Sequence, residues 1–389
     1  MSWPHVALKE LGKINTGSTP STANPAFWGA SGTPFVTPGE LGSSVPITSA
    51  ERNLTPEGSA AARVAPRDAV LVCCIGSLGK VGIAGSEVVT NQQINWIDFD
   101  REVVHPRYGY YACSRLAPQM IKMAPSTTVA ILNKSSFSKL HIPLPPLDEQ
   151  KRIAAILDKA DQLRQKRRQA IALLDSLTQS IFLEMFGDPV SNPMGWQTQT
   201  VEDFCELIVD CVNRTAPLAE RPTDFKMIRT TNVKKGRLLL SEVRYVDEEV
   251  FTKWNRRATP QIGDVILTRE APVGEVGILD VPGNFFLGQR LMLYRPDRKK
   301  MTSEFMLRSF QSEFLSEQFR QGSSGSTVKH LPLPSCRSFE FRVPPIEIQQ
   351  QFSKRVALIK RSLGAIEAMT LRMDEVFSSL QHRAFSGQL

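Results

Sequence analysis

The sequence predicts an α+β chain: two similar mixed α/β domains joined by two long helices that form an antiparallel coiled coil, arranged as a pseudo-two-fold molecule. Three observations predict it. The chain repeats itself at about half its length. Each half opens with short β-like runs set among Gly, Pro and Thr. Each half closes with a long helix carrying a heptad seam.

The repeat is read from matched segments. Trp3-x-x-x-x-Leu8-x-x-Leu11-x-x-Ile14 answers Trp196-x-x-x-x-Val201-x-x-Phe204-x-x-Leu207. Leu78-Gly79-Lys80-Val81-Gly82-Ile83 answers Val273-Gly274-Glu275-Val276-Gly277-Ile278. Pro145-Pro146-Leu147-Asp148-Glu149-Gln150 answers Pro344-Pro345-Ile346-Glu347-Ile348-Gln349, and Phe186 answers Phe385. The offset drifts from 193 to 199 residues along the chain, as small loop insertions produce.

Taken in order, the first half predicts a strand at Ala69-Val70-Leu71-Val72, introduced by the turn residues Pro66-Arg67-Asp68. Its counterpart is Val265-Ile266-Leu267-Thr268 after Ile262-Gly263-Asp264, and Phe285-Phe286-Leu287 is a further strand. Pro145-Pro146 stops the first domain. Asp148 to Phe186 then holds no Pro or Gly, so a helix of roughly 58 Å is expected there. Asp148 and Glu149 suit its first turn, and Gly187-Asp188-Pro189 ends it. Its seam reads Ile156, Ala160, Leu163, Arg167, Ala170, Leu174, Leu177, Ile181. The second helix, from about Glu347, reads Phe352, Val356, Ile359, Leu363, Ile366, Thr370, Met373, Phe377, Leu380, weakened only at Gly364. Two such seams predict mutual antiparallel packing; packing of each helix on its own domain is the alternative. The expected segments are 1–145, 146–187, 188–343 and 344–389. The run Arg164-Gln165-Lys166-Arg167-Arg168 suits a solvated helix face, with DNA or an acidic partner as the sharper reading.

The composition is globular, 41% hydrophobic and 22% charged, with a net charge of +8 that fits a polyanionic partner, nucleic acid before an anionic membrane surface. No apolar run reaches the length of a spanning helix, and Met1-Ser2-Trp3-Pro4-His5 does not open a signal peptide, so a cytoplasmic chain is expected. The six cysteines make no C-x-x-C pair and no Cys/His cluster; buried reduced thiols are expected, and no metal. Catalytic constellations are missing as well. Gly76-Ser77-Leu78-Gly79-Lys80 has the wrong spacing for a P-loop, and no G-x-G-x-x-G follows a strand. Asn24-Pro25-Ala26-Phe27 is not the Asn-Pro-Pro-aromatic motif of amino-methyltransferases. His5, His105, His141, His330 and His382 are scattered. A binding module without cofactor is expected.

Pro143-Leu144-Pro145-Pro146-Leu147-Asp148-Glu149-Gln150-Lys151-Arg152-Ile153, leading to Met185-Phe186-Gly187-Asp188-Pro189, resembles the junction of type I restriction–modification specificity subunits. Thr16-Gly17-Ser18-Thr19-Pro20-Ser21 is similar to their opening. Gly263-Asp264-Val265-Ile266-Leu267-Thr268-Arg269 with Val273-Gly274-Glu275-Val276-Gly277 is similar to a strand pair of their recognition domains. Ser323-Ser324-Gly325-Ser326-Thr327-Val328 also fits. Two departures stand out. Ile348 replaces the usual acidic residue, and Gly325-Ser326-Thr327 has only a loose counterpart in Ser126-Thr127-Thr128. The resemblance covers the whole chain, twice.

The resemblance implies a non-catalytic subunit for DNA modification and phage defence. Each of its two target-recognition domains reads one half of a split site in double-stranded DNA, and the helices fix the unread gap. It implies two adenosylmethionine-dependent methyltransferase (M) subunits and two restriction motor–nuclease (R) subunits as partners, no membrane, and no cofactor of its own. Readers are then sought among Arg, Lys, Asn and Gln. The first half offers Lys80, Gln92, Gln93, Asn133 and Lys134. The second offers Arg229, Thr231, Asn232, Lys234, Lys235, Arg256, Arg257, Arg269, Arg290 and Lys329. Gln93 matches Arg290 in place, and Gln92 matches Gln289; such pairs also suit a shared structural role. Arg256 and Arg257 suit phosphate. Because the variable segments differ, an asymmetric target is expected. A fused methyltransferase–nuclease with its own recognition domains, or a structural coiled-coil adaptor, are the alternatives.

Overall fold

The computed structural model describes residues 3–124, 130–323 and 330–389, without the side chain of Asp175. Ser126-Thr127-Thr128, Gly325-Ser326-Thr327 and Lys329 lie outside the described residues. The chain divides into two compact units, residues 1–169 with 367–389, and residues 170–366.

The first unit is built on an antiparallel sheet of β1 (Gly12–Thr16), β2 (Val70–Cys73), β3 (Val81–Ile83) and β4 (Ile94–Phe99), in the order β1-β4-β2-β3. β2 is buried on both faces, which is why it reads as a continuous apolar run. Val70 and Val72 face the larger core with Ile83, Ile97 and Phe99. That core is closed by helix α1 (Pro106–Cys113), which buries Tyr108 and Tyr111. Leu71 and Cys73 face a second core with Ile94 and Trp96. Five short strands form a second sheet of the unit, in the order 28–29, 52–54, 33–36, 88–90 and 64–65, and strands 5–7 and 141–143 pair in a third.

The second unit repeats the first sheet: β5 (Cys205–Asp210), β6 (Val265–Thr268), β7 (Val276–Ile278) and β8 (Leu291–Pro296), in the order β5-β8-β6-β7. Its covering helix is α3 (Ser303–Phe310). The second sheet does not repeat. It has three strands, 244–246, 225–228 and 284–287, the last two parallel. The halves therefore share a scaffold and differ in the layer laid over it.

The long helices are α2 (Leu147–Phe186) and α4 (Ile346–Phe385). In the first unit the start of α2 lies against the end of α4: Ile153 and Leu157 share a core with Phe377, Ala384 and Phe385, and Arg164 Nε donates to Asp374 Oδ1 at 2.6 Å. In the second unit the end of α2 lies against the start of α4, with Phe352 5.7 Å from Phe182 and 5.4 Å from Phe186. Antiparallel pairing thus appears within each unit. Each helix also packs on its own domain, so the two packings coexist.

The seam expected on α4 holds: Phe352, Val356, Leu363 and Phe377 are buried. The seam expected on α2 stands partly open, with Leu163 46% and Leu177 44% exposed. α2 turns Ile153, Leu157, Asp161, Thr178 and Phe182 inward instead. In the first unit its Ile156, Ala160 and Leu163 line a groove of about 580 Å³ with Met373, Phe377 and Leu380. The basic run is only in part a solvated face, since Arg164 is mostly buried and paired with Asp161 and Asp374.

Candidate nucleic-acid interface

At the end of β2, three segments of the first unit are stitched together through the backbone. Cys74 N donates to Gln93 O at 2.7 Å, and Leu132 N donates to Cys74 O at 2.8 Å. Ile75 forms an antiparallel bridge with Ile131. The end of β6 repeats the stitching. Arg269 N donates to Arg290 O at 2.8 Å, Leu331 N donates to Arg269 O at 3.0 Å, and Glu270 bridges His330. Cys74, Ile75, Gln93 and Ile131 thus stand where Arg269, Glu270, Arg290 and His330 stand in the other unit. The frame is common and the side chains are not.

The two corners differ in chemistry. In the first, Gln93 Oε1 accepts from Asn91 Nδ2 at 2.8 Å. Cys74 stays a neutral thiol, because burial pushes it up to about 12. In the second, Arg290 pairs with Glu270 at 3.0 Å and Arg269 Nε donates to Leu331 O at 2.9 Å. Arg290 takes a φ of 68°, a left-handed conformation that costs a non-glycine residue about 1–2 kcal/mol and is the kind of strain that collects at functional positions. A corner of amide and apolar groups suits contact with one set of base edges; a corner of arginines suits guanine.

One feature is shared. Thr19 Oγ1 donates to Gln92 Oε1 at 2.7 Å, and Thr215 Oγ1 to Gln289 Oε1 at 3.5 Å, both at the surface. Gly17 makes the first contact possible: a Cβ there would meet Asn91 O at 2.2 Å.

Of the other residues expected to touch nucleic acid, several are occupied in the fold. Lys80 Nζ donates to Pro38 O at 2.5 Å and Gly39 O at 3.3 Å. Asn133 caps the short helix Lys134–Ser138, accepting from Ser136 N at 2.8 Å. Asn232 is corrected outright. It is 0% exposed, accepts from Arg229 N at 2.9 Å and donates to Leu239 O at 3.1 Å, so it offers nothing at the surface. Arg229 is half-buried and donates to Glu242 O at 3.0 Å. Arg257 is exposed but ion-paired with Asp210 at the end of β5. Thr231, Lys234, Lys235 and Arg256 in the second unit and Lys134 in the first are exposed. The structure therefore gathers Gln92, Gln93, Arg269 and Arg290 at the corners, with Lys134 beside the first, and leaves residues 229–235 in the outer layer.

Sequence reasoning missed Thr19, Thr215, Glu270 and His330 as corner residues. The signal that could have found them was the equivalence of Gln92 and Gln289. Among the described residues no group of three or more His, Cys, Asp or Glu could hold a metal ion, and no helix is long and apolar enough to cross a membrane.

Comparison with known proteins gives a consistent result. Residues 2–173 and 193–368 each match the family described as type I restriction modification DNA specificity domain. The chain is similar to the type I restriction enzyme MjaIX specificity subunit of Methanocaldococcus jannaschii, with 21% identity over 100% of this chain and 93% of the relative. It is similar to the EcoBI specificity subunit of Escherichia coli, with 23% identity over 77% and 69%. Among solved structures, the S subunit of a type I restriction-modification system from M. genitalium superposes with a TM-score of 0.61 at 13% identity, covering 99% and 96% of the two chains. At that identity the likeness speaks for the fold.

Proposed function

The chain belongs to the family of type I restriction modification DNA specificity domains, and on that premise we propose that it is the non-catalytic reader of a type I complex, recognising an asymmetric split site in double-stranded DNA. The observation that carries this is the pair of corners: one backbone frame, built twice, furnished with unlike side chains. Residues 1–145 and 188–343 serve as the reading modules, and 146–187 with 344–389 as the spacer. Gln93 in the first module and Arg269 and Arg290 in the second face base edges. Lys134, Lys234, Lys235, Arg256 and Lys329 supply phosphate contacts, which give salt-dependent affinity without sequence information. Thr231 adds a hydroxyl beside them.

Two tethered readers gain from effective concentration, since binding one half-site makes the second event intramolecular. The reader acts in the cytoplasm with two methyltransferase subunits and two motor–nuclease subunits, which carry the catalysis and its cofactors. The open apolar groove on the first unit's helix pair supports docking of a partner there.

Mapping methylated adenines in the host genome tests the reading. A split motif with two unlike halves is expected, and it should vanish when the gene is deleted. Replacing residues 1–145 with those of another family member should change one half of the motif and leave the other. Marks that survive deletion of the gene overturn the proposal.

A further inference from the structure

Resting on that reading, we propose that Gln92 and Gln289 grip the sugar–phosphate backbone at matching points of the two half-sites, each amide aimed by its own threonine, while the unlike residues beside them read bases. Gln92 precedes Gln93 and Gln289 precedes Arg290, and these two neighbours accept the equivalent backbone bonds from Cys74 and Arg269. The glutamines are thus equivalent in space as well as in sequence. Their threonine donors are not. Thr16 lies opposite Asn95 in the first sheet, and Asp210 lies opposite Met292 in the second. Thr19 follows Thr16 by three positions and Thr215 follows Asp210 by five. Two surface segments of different length arrive at the same contact.

The contact leaves a donor on display. Each Oε1 accepts from a threonine hydroxyl, and no acceptor among the described residues meets either Nε2. Bidentate reading of adenine requires Oε1 to accept from the base while Nε2 donates, and the threonine already fills one side of that oxygen. A donor held alone suits an acceptor. Phosphate and sugar oxygens are acceptors present at every base pair, so they are what two domains reading unlike sequences have in common. Residues that must discriminate should differ between the corners, as Gln93 and Arg290, Ile75 and Glu270, and Ile131 and His330 do.

The test uses the chain assembled with its methyltransferase subunits and duplexes carrying the mapped motif. Gln92→Ala and Gln289→Ala should each weaken binding roughly tenfold, the scale of one hydrogen bond to a charged group. The factor should be the same on duplexes with single base pairs altered in that half-site. It should vanish when one phosphate of that half-site is replaced by a neutral methylphosphonate. Gln92→Glu keeps the threonine bond but sets a negative charge against phosphate, so it should bind more weakly than the alanine variant. A loss that depends on the identity of one base pair makes Gln92 a reader and overturns the proposal. So does unchanged affinity, or a Glu variant that binds like wild type, which would assign the pair to folding alone. Failure of the parent reading looks different: the wild-type complex itself would not distinguish the motif from a scrambled duplex.

Discussion

His105 and Thr302 occupy the same place, the residue before α1 and α3, and only the threonine caps its helix. Thr302 Oγ1 accepts from Phe305 N at 3.3 Å, whereas His105 makes no side-chain cap and its buried Nδ1 meets no partner among the described residues. Burial holds the His105 imidazole below its ordinary value of 6.5; Asp158 opposes this, and Lys151 and Arg107 add to it. A histidine whose folded value is depressed takes up its proton more readily when unfolded. Its stabilising contribution is complete above about 6.5 and is lost as pH falls through the lower folded value. His105→Thr should therefore do two things. It should supply the missing cap, worth about 1 kcal/mol, and it should flatten the loss of stability that sets in as pH falls below about 6.5. Thermal unfolding at several pH values checks both; an unchanged pH slope would remove His105 as a source of that slope.

At the scale of elements, a buried glutamine holds each long helix to its domain. Gln150 Oε1 accepts from His105 N at 2.9 Å, and its Nε2 donates to Val103 O and Pro145 O, each at 2.9 Å. Gln349 does the same with Thr302 N at 3.0 Å, Lys300 O at 3.2 Å and Pro344 O at 2.8 Å. Both are 0% exposed. Gln349→Ala strands three backbone groups, one buried and two partly buried, so denaturant unfolding of the second unit should show a loss of about 2–3 kcal/mol. A loss below about 0.5 kcal/mol would mean that water replaces the clip. The junction motif was legible in the sequence, but its weight was misplaced. Ile348 looked like the departure that mattered. Its counterpart Glu149 only pairs with Arg152 at the exposed surface, and the contacts common to both halves are made one residue later, by Gln150 and Gln349. The α2 seam was misplaced for a related reason. Heptad spacing reports that a face is apolar, not which neighbour covers it, and α2 spends its inward face partly on its own domain.

Over the whole molecule, what could be read was what repeats. The strands β2 and β6 and both long helices fall within a residue or two of their expected limits, because continuous apolar runs and unbroken heptads are local signals. Of the outer layers only the strand at Phe285-Phe286-Leu287 was legible. Their strands are two to four residues long and pair across long stretches of chain, as where Phe225–Ile228 runs parallel to Asn284–Leu287. Nor could side-chain duties be read there: Asn232 and Arg229 share a sequence run with Lys234, and only contacts separate the first two from the last. The repeat also hides an interdependence. The first unit is completed by residues 367–389, so its core depends on the far end of the chain. Phe385 lies 5.4 Å from Tyr108 with the rings tilted, Phe377 lies 6.3 Å from Tyr111, and Trp3 Nε1 donates to Ala384 O at 3.2 Å. Burying a phenylalanine is worth about 1.5–3 kcal/mol, so losing two of them removes a large part of a domain's margin. A chain ending at residue 366 keeps every candidate reader in both halves, and the second unit keeps all of its own residues. Hydrogen exchange should then show lost protection in β1, β2, β4 and α1, with β5, β6 and β8 unchanged. Recognition by the first module should fail without a single corner residue having been touched. Equal protection in the first unit with and without residues 367–389 would mean that the module stands alone, and that the end of α4 serves only as spacer.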